Sequence, residues 1–333
     1  MPLFHVILIA YKRNHYVPEF YLKSFALPMP GRRKPMIWVY DKDGGSTRQQ
    51  SAKDTAVVRD LYIIRNVEGV QSHFLEHEFA KYESAVKPIF ERWKEPGAKP
   101  AVKEIFVVSE FLAYLYLRVP RTIDAIKQIS AHSSIINMEN LARDPERLSK
   151  AFEWLRSNKQ SNLTIQELRD LAENVERRFE IKVNDTFALC TTLRMFETVE
   201  KRLRELYWCL STAPPTTEFI TCDSPLVVVF REGDRMGLGG GFGHPHVEVS
   251  FPLSHRVCLT LDRKTNLKKR TLGDGLVLEL NRRAVAVAER YIFAARKSDY
   301  TERLVRAFAF TRRTPKVSKK ALRTHLEAKS RRL

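Results

Sequence analysis

The apolar residues of this chain change their period three times, and that change limits the fold more than any other feature. Met36-Ile37-Trp38-Val39-Tyr40-Asp41 is a β-branched and aromatic run, followed by an Asp43-Gly44-Gly45 turn. Ala56-Val57-Val58 and Leu61-Tyr62-Ile63-Ile64 are shorter extended pieces. From Ser72 the period becomes 3.6. Phe74, Leu75, Phe79, Tyr82, Val86, Ile89, Phe90 and Trp93 share one helical face, which Pro96-Gly97 ends. A second, denser helix is expected over Lys103–Val119, where Pro120 kinks or ends it. More weakly patterned helices follow at about 123–142, 146–158 and 164–180, the last opened by Thr164 with Glu167 three residues on. A further helix is expected from about Asp185 to Leu210.

After Pro214-Pro215 the short runs return. Strands are expected over Glu218–Cys222, Leu226–Phe230, Val247–Phe251 and Arg256–Leu261, and a helix over Leu276–Phe293. This order, strands then helices then strands then helix, predicts an α+β fold. It implies a mixed or antiparallel sheet drawn from N-terminal and late strands, with a large central block of helices. The expected organisation is a leader or extra strand (1–12), one large α+β domain (13–296) carrying a helical insertion at about 123–180, and a basic extension (297–333).

Near the N-terminus, Arg13 to Phe25 holds a histidine, a proline and four aromatic rings. Pro18 biases Val17 to an extended form. Phe20, Tyr21, Leu22 and Phe25 then suit one helical turn facing a core, wedged against the late strands, with His15 at its mouth.

A net charge of +18 favours anionic partners, chiefly nucleic acid. Thr311–Leu333 holds nine Lys/Arg against one acid, so about 8 of the 18 charges lie there. Arg312, Arg313, Lys316, Lys319 and Lys320 are its candidate nucleic-acid contacts, and a merely unstructured basic tail is the plainer alternative. Cys190, Cys209, Cys222 and Cys258 are far apart, which suits reduced thiols in a cytoplasmic protein. Met1–Ala10 is apolar but has no positive n-region and is too short to span a bilayer, so no membrane segment is expected.

Five motifs come in a fixed order. They are Asn14-His15-Tyr16-Val17-Pro18 with Phe20, Leu22 and Phe25; Glu76 and Glu83; Leu117-Arg118-x-x-Arg121-Thr122; Ile220-Thr221-Cys222-Asp223-Ser224-Pro225; and Phe251-Pro252-Leu253-Ser254. Together they resemble the bacterial family called domain of unknown function 4238, over roughly His15 to Ala294. The resemblance brings no activity. It implies which polar positions carry any chemistry: His15, Glu76, Glu83, Arg118, Arg121 and Asp223.

Each of these has a structural alternative. Glu76 and Glu83 lie two helical turns apart on one face, where paired carboxylates bind Mg²⁺, act as acid and base, or form ordinary ion pairs with Arg118 or Arg121. Arg118 and Arg121 suit a phosphate by their forked donors, and suit helix carbonyls equally. Asp223 is a natural metal ligand or base at a strand end, and a natural turn former. Glu83 and Asp223 are the best metal candidates. His15 has an ordinary pKa suited to a general base, and a tie to the core is the alternative. His73-x-x-Glu76-His77 fits an inverted zinc-peptidase pattern, but a solvated helical face is the heavier reading. The Gly237–Gly243 run lacks the Lys-Ser/Thr of a phosphate loop and reads as a hairpin tip, with His244 and His246 a weak metal pair beyond it.

Two functions fit these residues. One is a phosphodiester-cleaving hydrolase of a bacterial defence or toxin system. The other is a non-catalytic nucleic-acid-binding or regulatory module.

Overall fold

The structure is a computed structural model, and it describes residues 13–28, 30–31, 33–44, 47–59, 61–62, 64–65, 71–72, 74–158, 162–230, 241–263, 270–309, 319 and 322–323. The chain opens with β1 (Asn14–His15) and a single helical turn, α1 (Glu19–Leu22), extended by a 3-10 turn to Phe25. β2 (Met36–Asp41) and β3 (Arg48–Ser51) pair antiparallel, and β4 (Val57–Val58) returns to β1. β5 (Ile64–Arg65) and β6 (Gln71–Ser72) form a short pair of their own.

The helical block follows: α2 (Phe74–Lys94), α3 (Val102–Arg118), α4 (Pro120–Arg143), α5 (Pro145–Ser157), α6 (Ile165–Glu173), α7 (Val175–Arg178), α8 (Asp185–Leu193) and α9 (Phe196–Arg204). Pro120 both ends one helix and starts the next. Val119 is forced to an extended backbone (ψ 145°), and proline at the first helical position needs no hydrogen bond. Thr164 and Glu167 form the expected capping box, each satisfying the other's backbone amide.

Late strands complete two sheets: β7 (Tyr207–Thr212), β8 (Thr221–Cys222), β9 (Val227–Phe230), β10 (Val247–Pro252), β11 (Val257–Asp262) and β12 (Arg270–Thr271). Then come α10 (Asp274–Val287), β13 (Tyr291–Ala294) and α11 (Asp299–Ala307). One sheet has the order β12-β7-β11-β10-β9 and the other β3-β2-β13-β8. All pairings are antiparallel except β12 with β7. The architecture is α+β.

Alternation along the strands divides the core. On the five-stranded sheet, Leu210, Val249, Phe251, Leu259 and Leu261 face the main core with α2, α3 and α9. Cys258 faces the opposite way, onto Val277 and Leu280 of α10. On the four-stranded sheet the cross-strand pair Val39–Phe293 joins the main core, and the next pair, Tyr40–Ile292, packs on Ala284 and Val285 of α10. α10 therefore serves both sheets. The opening aromatic turn is wedged against the late strands as expected. Tyr21 stacks on Phe251 at 4.8 Å and shares a 2.7 Å hydrogen bond with Thr221.

Three expected elements differ. The helix expected over Asp185–Leu210 is two helices and a strand, because Tyr207–Thr212 pairs residue by residue with β11. The helix expected to run to Phe293 ends at Val287, and Tyr291–Ala294 enters the sheet between β2 and β8. Of the strand expected over Glu218–Cys222, only Thr221–Cys222 joins a ladder. Asn281 clamps the rest, donating to the Glu218 carbonyl and accepting from Ile220 N.

Candidate functional site

Pairing of β1 with β4 sets the orientation of the first motif. Asn14 and Tyr16 point inward and are buried, while His15 between them is half-buried. Tyr16 N donates to the carbonyl of Ala56, whose φ of +55° is in the left-handed region, unusual for a residue with a Cβ.

On α2, positions 76, 79 and 83 share one face, and Arg118 lies across it. Arg118 Nη2 donates to Glu83 Oε1 at 2.8 Å, and its guanidinium sits 4.8 Å from the Phe79 ring centroid. Asn14 Nδ2 donates to Glu76 Oε1 at 2.7 Å. Tyr62 meets the Phe79 ring edge-on and donates its hydroxyl to the Arg118 carbonyl. So four elements that are distant in sequence converge: the first motif, the Tyr62 segment, α2 and the C-terminus of α3.

Burial raises the pKa of Glu76, with Glu83 adding to the rise and Arg118 and the Asn14 hydrogen bond opposing it. Burial lowers the pKa of His15, against the Lys53 carbonyl, Glu19 and Glu83. His15 Nε2 lies 3.0 Å from that carbonyl. A carbonyl only accepts, so Nε2 carries the proton and, in the neutral ring, Nδ1 carries the lone pair. Two buried atoms of the cluster, Asn14 Oδ1 and Arg118 Nε, have no hydrogen-bond partner among the described residues.

Arg121 and Asp223 belong to a second constellation, at the end of α10. Arg121 Nη1 donates to the Val287 carbonyl at 2.7 Å. Buried Lys42 donates to the carbonyls of Val285 and Ala288 at 3.0 and 2.7 Å. Asp223 accepts the amide hydrogens of Glu289, Arg290 and Tyr291 at 2.9, 2.7 and 2.8 Å. Burial pushes the Asp223 pKa up to about 6 despite those three donors. Tyr16 lies between the constellations, since its hydroxyl feels both Asp223 and Tyr62.

The structure thus gathers Glu76, Glu83 and Arg118 with Asn14, leaves His15 beside Asn14 on the Lys53 carbonyl, and sets Arg121 and Asp223 apart from them. Glu83 is taken up with Arg118 and Asp223 with three amides, so this pair does not fit a shared metal ion. Among the described residues no three of His, Cys, Asp and Glu are grouped to hold one. His73 lies outside the described residues, and His77 is exposed. His244 and His246 have rings 5.7 Å apart, with His244 Nδ1 accepting from His246 N. Of the Gly237–Gly243 run only Gly241–Gly243 is described, as a 3-10 turn.

Sequence reading gave no role to Lys42 or Tyr62. Lys42 stands in an Asp-Lys-Asp turn that looks solvated, and Tyr62 in an apolar run that looks like plain core. Among the tail candidates, Arg312, Arg313, Lys316 and Lys320 lie outside the described residues. Lys319 pairs with Glu139 at 2.7 Å and Glu176 at 2.5 Å. Among the described residues all four cysteines are free, and no helix is long and apolar enough to cross a membrane.

The family described as "Protein of unknown function (DUF4238)" matches residues 13–298, and the chain belongs to it. Comparison with curated proteins gave no match, and comparison with solved structures gave none.

Proposed function

Taking that membership as the premise, we propose that this chain is a cytoplasmic hydrolase that cuts nucleic-acid phosphodiesters at the His15–Glu76–Arg118 cluster, in the setting of bacterial defence or toxin action. The observation that carries this reading is the meeting of the first motif with α2 and the end of α3, through Asn14 on Glu76 and Arg118 on Glu83, with His15 beside Asn14 in the chain. Burial moves the Glu76 pKa up and the His15 pKa down, so it favours the uncharged form of each, a carboxylic acid able to give a proton and an imidazole able to take one. In this reading His15 Nδ1 takes a proton from the attacking water. Protonated Glu76 delivers one to the leaving oxygen. Arg118, buried and fixed by Glu83 and Phe79, supplies positive charge from behind the carboxylates. Asn14 is a positioning residue, since it holds the Glu76 carboxyl. The basic surface brings the substrate in. No step runs through a metal ion.

The test uses the full chain with end-labelled single- and double-stranded DNA and RNA. Cleavage is expected, with Glu76→Gln and His15→Gln each lowering the rate by about 10²–10⁴-fold while gel-shift affinity stays unchanged. Undiminished cleavage by both variants would falsify the site assignment.

A second reading is a nucleic-acid-binding module without catalysis. It is favoured by the engagement of Arg121 with the end of α10 and of Asp223 with the turn beyond it, which leaves only part of the polar motif set for chemistry. Binding without cleavage by the wild-type chain selects it. Absence of any gel shift at moderate salt removes both readings.

A further inference from the structure

Two arginines, Arg48 of β3 and Arg290 of the turn before β13, meet one tyrosine at the edge of the four-stranded sheet. The Arg290 guanidinium lies 4.9 Å from the Tyr291 ring centroid, and that of Arg48 lies 5.5 Å from it. The sheet creates this meeting, because Tyr291 is opposite Asp41 on β2 and Arg48 is opposite Val39 on the same strand. Both side chains are tethered by one edge. Arg290 donates from Nε and Nη2 to Asp41 at 2.8–3.1 Å, and Arg48 Nε donates to Gln50 at 3.0 Å.

The tethers leave donors over. Arg290 Nη1 and both Nη atoms of Arg48 donate to no described residue. Arg48 is exposed, and the Arg290 side chain is 47% exposed while its partner Asp41 is buried. A planar guanidinium whose orientation is already fixed loses little freedom on gripping a phosphate, and its flat face takes an unstacked base. The stack also borders the candidate site. Asp223 accepts the amides of Arg290 and Tyr291, and the same carboxylate adjoins Tyr16, next to His15.

We propose that Arg48, Tyr291 and Arg290 form a grip for the backbone of a single-stranded nucleic acid, leading the strand to the His15–Glu76 cluster. This rests on the nucleic-acid reading of that cluster and names its substrate form. A single strand fits better than a duplex because unpaired bases expose the faces that guanidinium planes stack on. The charge of the chain, +18, agrees with the sign of the partner.

The experiment measures binding of labelled single-stranded 12-nucleotide DNA and RNA to the full chain by fluorescence anisotropy across a salt series. Arg48 makes only exposed contacts, so Arg48→Gln leaves the fold intact. Arg48→Gln is expected to weaken binding about tenfold and to lower the slope of log affinity against log salt by about one. Arg48→Lys, which keeps the charge and loses the plane, is expected to restore the slope and only part of the affinity. Wild-type affinity in Arg48→Gln overturns the grip while leaving the nucleic-acid reading in place. Wild-type affinity in Arg48→Lys overturns the role of the stack. Failure of the wild-type chain to bind any oligonucleotide overturns the nucleic-acid reading itself, and the grip with it.

Discussion

The Asp223 carboxylate accepts three amide hydrogens in a row, and burial still lifts its pKa to about 6, from an ordinary 3.8. A carboxyl with a raised folded-state pKa binds its proton more tightly folded than unfolded. Stability therefore falls as pH rises from about 4 to about 6 and levels off beyond, by roughly 3 kcal/mol for this difference. Urea unfolding of wild type and Asp223→Asn across that range should show the fall in the first and not in the second. Asp223→Ala leaves three buried amides without an acceptor and should cost about 3 kcal/mol or more at any pH in the range. An unchanged urea midpoint in Asp223→Ala would contradict the backbone role. In the sequence this residue reads as a metal ligand or base at a strand end, with a turn former as the alternative. Which of these it is depends on amides 66 to 68 residues away.

At the scale of elements, α10 shows a helix ended from outside. Its own sequence around Val287 offers no glycine or proline. Lys42 and Arg121 take up its last carbonyls, and Asp223 takes up the amides of the turn beyond. Cations at a helix C-terminus also oppose the negative end of the helix dipole. Lys42→Met should leave the Val285 and Ala288 carbonyls unpaired and cost about 2 kcal/mol, measured by thermal or urea unfolding. A variant as stable as wild type would show that water replaces the lysine there. By contrast, the break between α3 and α4 is legible in Pro120, and the start of α6 in Thr164 and Glu167, because those signals act within a few residues. The switch from α9 to β7 carries no such punctuation. Tyr207–Thr212 becomes a strand because β11 is there to pair with it.

For the molecule as a whole, the described residues of the basic extension are engaged with the fold. Thr301 and Val305 of α11 are buried, as is Leu322, and Lys319 and Arg323 both reach Glu139 on α4. Removal of residues 311–333 takes away about 8 positive charges together with the contacts of Lys319, Leu322 and Arg323. The truncated chain should lose about 1 kcal/mol of stability, since the ion pairs are partly exposed, and should bind oligonucleotides with a shallower salt slope. An unchanged slope would mean that the tail acts on the fold alone. Glu139→Gln should reproduce the stability loss without changing the slope.

The sequence by itself determined the α+β class, the positions of most helices, the inward-facing aromatic turn and the residues worth watching. Those follow from apolar period, from proline and capping chemistry, and from the motif set, all of which act locally or read directly from residue type. Only the tertiary structure decided which watched residues meet. β1–β4 pairing turns Asn14 inward onto Glu76, the end of α3 lays Arg118 across Glu83 and Phe79, and the end of α10 draws Arg121 and Asp223 away to its own turn. The reason is that a charged group taken out of water must find a partner, and which partner lies within reach is fixed by how the elements pack.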